Sequence, residues 1–184
     1  MRRWARYWPL IAVVVAVVAV GASVTYLGDD WYDQDPPDYS RIEDGLYVGG
    51  NSLRPPRGTV AVLNLCEAPD PYHAEVHRWE PIPDSAPAPS LNWLLHQVDF
   101  ISSQREIGHT VFVHCHMGIS RSGMVVTAYL MAREGWSRDK ALAYVRLKRP
   151  EVDPNSAFME LLLDWEVAVK GGAVKALKNA ASER

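Results

Sequence analysis

The stretch His114-Cys-His-Met-Gly-Ile-Ser-Arg-Ser122 holds the chemistry most easily read from this chain. A cysteine stands at 115 and an arginine six positions on, at 121, with Gly118 between them. The β-branched, apolar run Thr110 to Val113 leads in, and a helix-like run, Gly123 to Arg133, follows. A strand, a tight polar loop and a helix in that order aim backbone N–H groups and a helix N-terminus at one point, which makes an anion site. The amides and Arg121 favour thiolate over thiol at a cysteine inside such a site. A thiolate nucleophile in an oxyanion cradle suits phosphoryl transfer to sulfur.

Cys-x5-Arg alone asks for only two residues at a fixed spacing. His114, Gly118, Ser120 and Ser122 sharpen it, and so do the elements on either side. The whole pattern, His-Cys-x5-Arg-Ser, resembles the active-site loop of the dual-specificity, cysteine-dependent phosphatases. Gly45-Leu-Tyr-Val-Gly49, Val62-Leu-Asn-Leu-Cys66, Ile82-Pro-Asp84 and Pro154-Asn-Ser-Ala-Phe-Met159 resemble other segments of that family, in family order. The resemblance implies a cysteine-based phosphatase fold of the α/β class. Its central, mainly parallel sheet is flanked by helices, and the active-site loop lies between a strand and a helix.

The same resemblance implies roles. Cys115 is the nucleophile, forming a phosphocysteine that water hydrolyses. Arg121 holds two phosphate oxygens with its planar fork. The amides of His116, Met117, Gly118, Ile119, Ser120 and Arg121 bind the phosphate. His114 buttresses the loop, Ser122 donates to the cysteine sulfur as it leaves, and Asn155 braces the loop or caps its own helix. A general acid must come from outside the loop. Asp84, after Ile82-Pro83 in a proline-rich stretch, fits the family position. Asp70, in a Pro-Asp-Pro turn, is the second choice and reads otherwise as turn chemistry. No metal or other cofactor is required by this chemistry. Such loops often carry Ala before the central Gly; Met117 stands there instead and could reshape the pocket floor.

Cys66 reads either as a small buried core residue or as a redox partner of Cys115. The segment Asn64-Leu-Cys66 resembles a lipid-acting tumour-suppressor phosphatase whose cysteine at that place bonds the catalytic one under peroxide. Substrates implied by the resemblance are phosphotyrosine and phosphoserine or phosphothreonine of proteins. Phospholipid head groups are the alternative, although lipid-acting relatives tend to carry Lys where this chain has His116. A catalytically inactive phosphate-binding module is a third reading, set against the retention of Cys115, Arg121 and Asp84.

These residues need a scaffold. Leu46 to Val48, Thr59 to Leu65, His77 to Ile82 and Thr110 to Val113 read as strands. Leu91, Leu94, Leu95, Val98 and Ile101 recur at helical spacing, with Ser90 as N-cap and Gly108 as stop. Further helices run to Arg133, from Ser137 to Pro150, and from Asn155 to Gly171. The boundaries expected are a catalytic domain over 41–171, a tail over 172–184 and an acidic linker over 29–40.

The chain has 184 residues, two cysteines and a net charge of −3. Two cysteines exclude a disulfide scaffold or a cysteine-built zinc site. The acidic balance argues against nucleic acid as a partner. His73 and His77 read as solvent-facing, with no third ligand near. Residues 7–28 carry no charge, and as a helix they would reach about 33 Å, the thickness of a bilayer core. With Trp and Tyr at both ends, 1–28 reads as a single-pass membrane anchor or an uncleaved signal. Val20-Gly21-Ala22 keeps a cleaved signal peptide open. Arg2, Arg3 and Arg6 put the N-terminus in the cytoplasm, whereas a thiolate enzyme prefers reducing surroundings, so the side of the catalytic domain stays open.

Overall fold

The computed structural model describes residues 38–172 and Val174. Five strands form one sheet: β1 (Tyr39–Glu43), β2 (Leu46–Gly49), β3 (Thr59–Asn64), β4 (Val76–Trp79) and β5 (Thr110–His114). Their order is β1-β2-β5-β3-β4. Only β1 runs antiparallel to its neighbour; β2 with β5, β5 with β3, and β3 with β4 are parallel. The central strands are short, β-branched and buried, as a parallel sheet requires. Val111, Phe112 and Val113 of β5 have no exposed surface.

Four helices flank the sheet: α1 (Leu91–Glu106), α2 (Arg121–Glu134), α3 (Arg138–Lys148) and α4 (Ser156–Lys170). Three start at side-chain caps. Ser90, Ser137 and Asn155 accept from Trp93, Lys140 and Phe158 N–H. Such caps satisfy a helix's first free amides and are worth about 1 kcal/mol each. Helix α2 is the exception: no side chain caps it. Its residues 121–131 are buried all round, consistent with a sequence that has no polar face there. It packs against α1, α3 and α4, and Trp165 Nε1 donates to Ala128 O at 3.0 Å, pinning α4 to it. The helix that starts at the Cys115 loop is therefore firmly embedded.

Two readings of the sequence change. Strand β1 was not expected; of its five residues only Ile42 is buried, so the alternation is faint, and it begins inside the segment read as linker. The membrane location is corrected. The longest described helix, α1, has 16 residues, short of the roughly 20 apolar residues needed. No helix among the described residues is long and apolar enough to cross a membrane. The run 7–28, on which the anchor rested, lies outside them, and the single-pass membrane assignment is withdrawn.

Candidate active site

Strand β5 delivers Cys115 to the C-terminal edge of the sheet, the usual ligand side of parallel strands. The loop that follows is held from outside by its carbonyls. His116 O accepts from Asn51 N at 3.0 Å, and Ile119 O from Asp153 N at 3.1 Å. Between them, Arg149 donates to Met117 O at 3.1 Å and to Gly118 O at 2.9 Å. In a planar trans peptide the N–H points away from the C=O. Four outward carbonyls therefore turn the N–H groups of Met117, Gly118, Ile119 and Ser120 toward the inside of the loop. Gly118 has φ +66°, and a Cβ there would meet Gly49 backbone at 2.4 Å. Only glycine fits.

Arg149 is the largest contributor that the sequence did not reveal. It is 6% exposed and paired with Asp38. A buried arginine five donors wide suits the bracing of several carbonyls at once.

Inside the loop the expected residues converge. Ser122 Oγ lies 3.3 Å from Cys115 Sγ. Arg121 is buried, and its Nη1 donates to Glu67 Oε2 at 2.8 Å, Ile82 O at 3.0 Å and Leu65 O at 3.3 Å. Burial works against the Arg121 charge, but Glu67, the Cys115 sulfur and Asp84 more than offset it and raise its pKa. Asp84 Oδ2 is 3.8 Å from Arg121 Nε. Its Oδ1 accepts from Ser120 Oγ at 2.6 Å and from Asn155 Nδ2 at 2.8 Å. Ser120 Oγ donates to Asp84 and accepts from Asn155 N at 3.2 Å, and it makes no cap bond to the first amides of α2. Those amides stay available to an anion. Asn155 does two jobs at once, capping α4 through Oδ1 and holding Asp84 through Nδ2.

The remaining expected positions lie as follows. Met117 is 61% exposed, so its side chain lies on the rim and builds no pocket floor. His116 is exposed and Ile119 half-buried. Asp70 is not beside the loop's open face: its side chain is 1% exposed and lies 3.0 Å from His114 Nε2. His77 is exposed, as read, and also donates to the same carboxylate at 2.7 Å. Burial works against the Asp70 charge, yet the His114 and His77 imidazoles outweigh it and hold its pKa below the ordinary value. A carboxylate shifted down stabilises the fold above its unfolded pKa of about 3.9, and that contribution is lost as pH falls through the folded value.

Cys66 is buried just beyond β3, and Cys115 just beyond β5; the two strands pair with Asn64 opposite His114. Burial, then the Cys115 sulfur, push the Cys66 thiol up to about 12. At neutral pH it is a protonated thiol. Glu67, 65% exposed at its side chain, is a further residue the sequence reading passed over. A hydrogen bond from Arg121 is the main cause that holds its pKa below the usual carboxylate value.

Residues 60–168 match the dual specificity phosphatase catalytic domain. Dual specificity protein phosphatase 16 of Homo sapiens is 38% identical over 141 residues, covering 71% of this chain and 21% of that protein. Dual specificity protein phosphatase 1-A of Xenopus laevis is 34% identical over 157 residues, covering 80% of this chain and 42% of that protein. The chain thus spans less than half the length of these curated relatives. The crystal structure of human DUSP28 superposes with a TM-score of 0.65 at 27% identity, covering 73% of this chain and 97% of that one. Since the matched stretch runs unbroken from β3 through Asp84 and the Cys115 loop to Asn155, the chain belongs to the dual specificity phosphatase catalytic-domain family.

Proposed function

We propose that this protein hydrolyses phosphate monoesters of phosphoproteins, phosphotyrosine and phosphoserine or phosphothreonine, through a phosphocysteine at Cys115. The observation that carries the reading is the loop whose four successive carbonyls, 116 to 119, are all held from outside. The amides opposite them, with Arg121, form a cradle for three phosphate oxygens. Cys115 attacks phosphorus in line from the cradle's base. Asp84 gives its proton to the departing oxygen. Water then attacks the phosphocysteine, Asp84 takes its proton, and Ser122 donates to the sulfur as it leaves. The amides and Arg121 meet the transition-state charge without reorganising, which is where most of the rate comes from.

The test is vanadate-sensitive release of phosphate from para-nitrophenyl phosphate, then from phosphotyrosine and phosphothreonine peptides, with phospholipid vesicles in parallel. Faster turnover of the peptides supports the reading. Preference for vesicles would move the substrate to lipid head groups, and activity no better than Cys115→Ser would end the enzyme reading.

Glu67 gives a smaller prediction. Its carboxylate shares Arg121 with any incoming phosphate, and the guanidinium keeps two carbonyl partners without it. Glu67→Gln should tighten competitive inhibition by inorganic phosphate about two- to fivefold, the worth of an exposed ion pair. Weaker inhibition would show that Glu67 is a strut for Arg121 and not a competitor.

Cys66 gives another. Peroxide would oxidise Cys115 to a sulfenic acid, and Cys66 S–H would displace hydroxide from it to form a disulfide and water. Treated protein should lose two hydrogens in mass and recover with dithiothreitol, while Cys66→Ser stays inactivated. Equal recovery of both would remove the redox role.

A further inference from the structure

We propose that Asp70, backed by His77, is a positioning residue for the nucleophile and acts through His114. This rests on the hydrolase reading above.

His114 immediately precedes Cys115 and is fully buried. Its ring is fixed on three sides. Phe112 stacks on it at 5.0 Å between centroids. Cys66 Sγ lies 3.8 Å from Nδ1, and Asp70 Oδ1 lies 3.0 Å from Nε2. The Asp70–His114 contact is too bent for a full hydrogen bond, and neither atom has another hydrogen-bond partner. The buried Asp70 carboxylate, with Tyr72 also against it, faces the buried imidazole at close range, and separating the two would strand a buried ring nitrogen.

The sheet explains how the link is made. Strand β3 lies between β5 and β4. In register, His77 pairs with Val62 and Val62 with Phe112, so His77, Val62 and Phe112 share one face, with His114 two residues along from Phe112 on the same face. Asp70, on the loop after β3, reaches across β3 from the edge strand to the catalytic strand. Its Oδ2 accepts from His77 Nε2, which leaves Oδ1 for His114. Pro69 and Pro71 flank it, and their fixed φ stiffens the turn that carries the carboxylate.

This arrangement decides the tautomer of His114. A carboxylate facing Nε2 requires the proton there, and the other nitrogen is then free to accept from the Cys66 thiol. The thiol's raised pKa keeps that proton available. Cys66, His114, Asp70 and His77 form one chain of polar contacts from beside the nucleophile to the edge of the sheet. The catalytic loop's first peptide is anchored by the same residue, since His114 O accepts from Leu65 N at 2.9 Å. A rotated or retautomerised His114 would shift Cys115 against the cradle.

The test is Asp70→Ala, confirmed as folded by thermal melting, with two readouts. One is kcat and KM on para-nitrophenyl phosphate; the other is the histidine side-chain ¹⁵N spectrum. Misplacing a reacting group by about 1 Å can cost on the order of 100-fold, so kcat should fall roughly 10- to 100-fold. KM and inhibition by phosphate should hold, because the amides and Arg121 are untouched. The ¹⁵N shifts of His114 should leave the pure Nε2–H pattern. Asp70→Asn, which restores one acceptor, should recover part of kcat. His77→Ala, a change at a partly exposed edge residue that leaves the core intact, should give the same pattern more weakly, and it serves if Asp70→Ala does not fold. Unchanged kcat or an unchanged His114 spectrum in a folded variant overturns the proposal. If the wild type itself turns over nothing, the activity reading has failed, and the His114 spectrum still decides this one.

Discussion

Cys115→Ser should lose turnover by roughly 10⁴-fold or more, the scale on which removing a nucleophile acts, yet keep its grip on inorganic phosphate. The two halves of the expectation have separate causes. Serine at 115 lacks a thiolate, so no phosphocysteine forms and only cradle-assisted attack by water remains. The cradle itself depends on other residues: Asn51, Arg149 and Asp153 hold the carbonyls, and Leu65, Ile82 and Glu67 hold Arg121. Those hydrogen bonds do not run through the sulfur, whose own partner is Ser122. Phosphate titration by calorimetry alongside steady-state assays checks both halves. Retained turnover would remove Cys115 from the reaction, and lost phosphate binding would mean the cradle does not outlast the change at its base.

The division between what the sequence told and what it hid follows the distance over which each feature is determined. The Cys115 loop is local: strand, loop and helix are adjacent in the chain, and seven residues fix the geometry. Ser90, Ser137 and Asn155 were legible as caps for the same reason, because a cap and its target lie three residues apart. Asp84 was legible through its proline neighbours and family position, and its contacts with Ser120 and Asn155 place it beside Arg121. Arg149 was not legible. It looked like any basic residue at a helix end, and its burial against Met117 and Gly118 depends on how α3 docks. The Asp70 bridge was hidden more deeply, because it needs the strand order β5-β3-β4, which no local pattern encodes. His77 is exposed, as read, but its bond to Asp70 has no signature until the loop that folds over it is known.

Asp84→Asn should slow substrates with poor leaving groups by about 10²–10⁴-fold, the usual worth of a general acid, and activated aryl phosphates far less. The asymmetry is the argument. An alkyl or tyrosyl oxygen departs as a strong base unless it is protonated in the transition state, whereas a nitrophenolate leaves unaided. Asparagine keeps the shape of aspartate, and its carbonyl oxygen can still accept from Ser120 Oγ and Asn155 Nδ2. The loop and the cap of α4 should therefore survive, and the lost function is the proton. The geometry also favours Asp84 over Asp70 for this proposed role. Asp84 has a side chain 38% exposed and lies 3.8 Å from Arg121, while Asp70 is 1% exposed and faces two histidines. A series of aryl phosphates spanning leaving-group basicity, run against both enzymes, should give a steeper dependence of log kcat/KM for Asp84→Asn than for the wild type. Parallel lines would mean that the proton comes from elsewhere and that Asp84 serves only to brace Ser120 and Asn155.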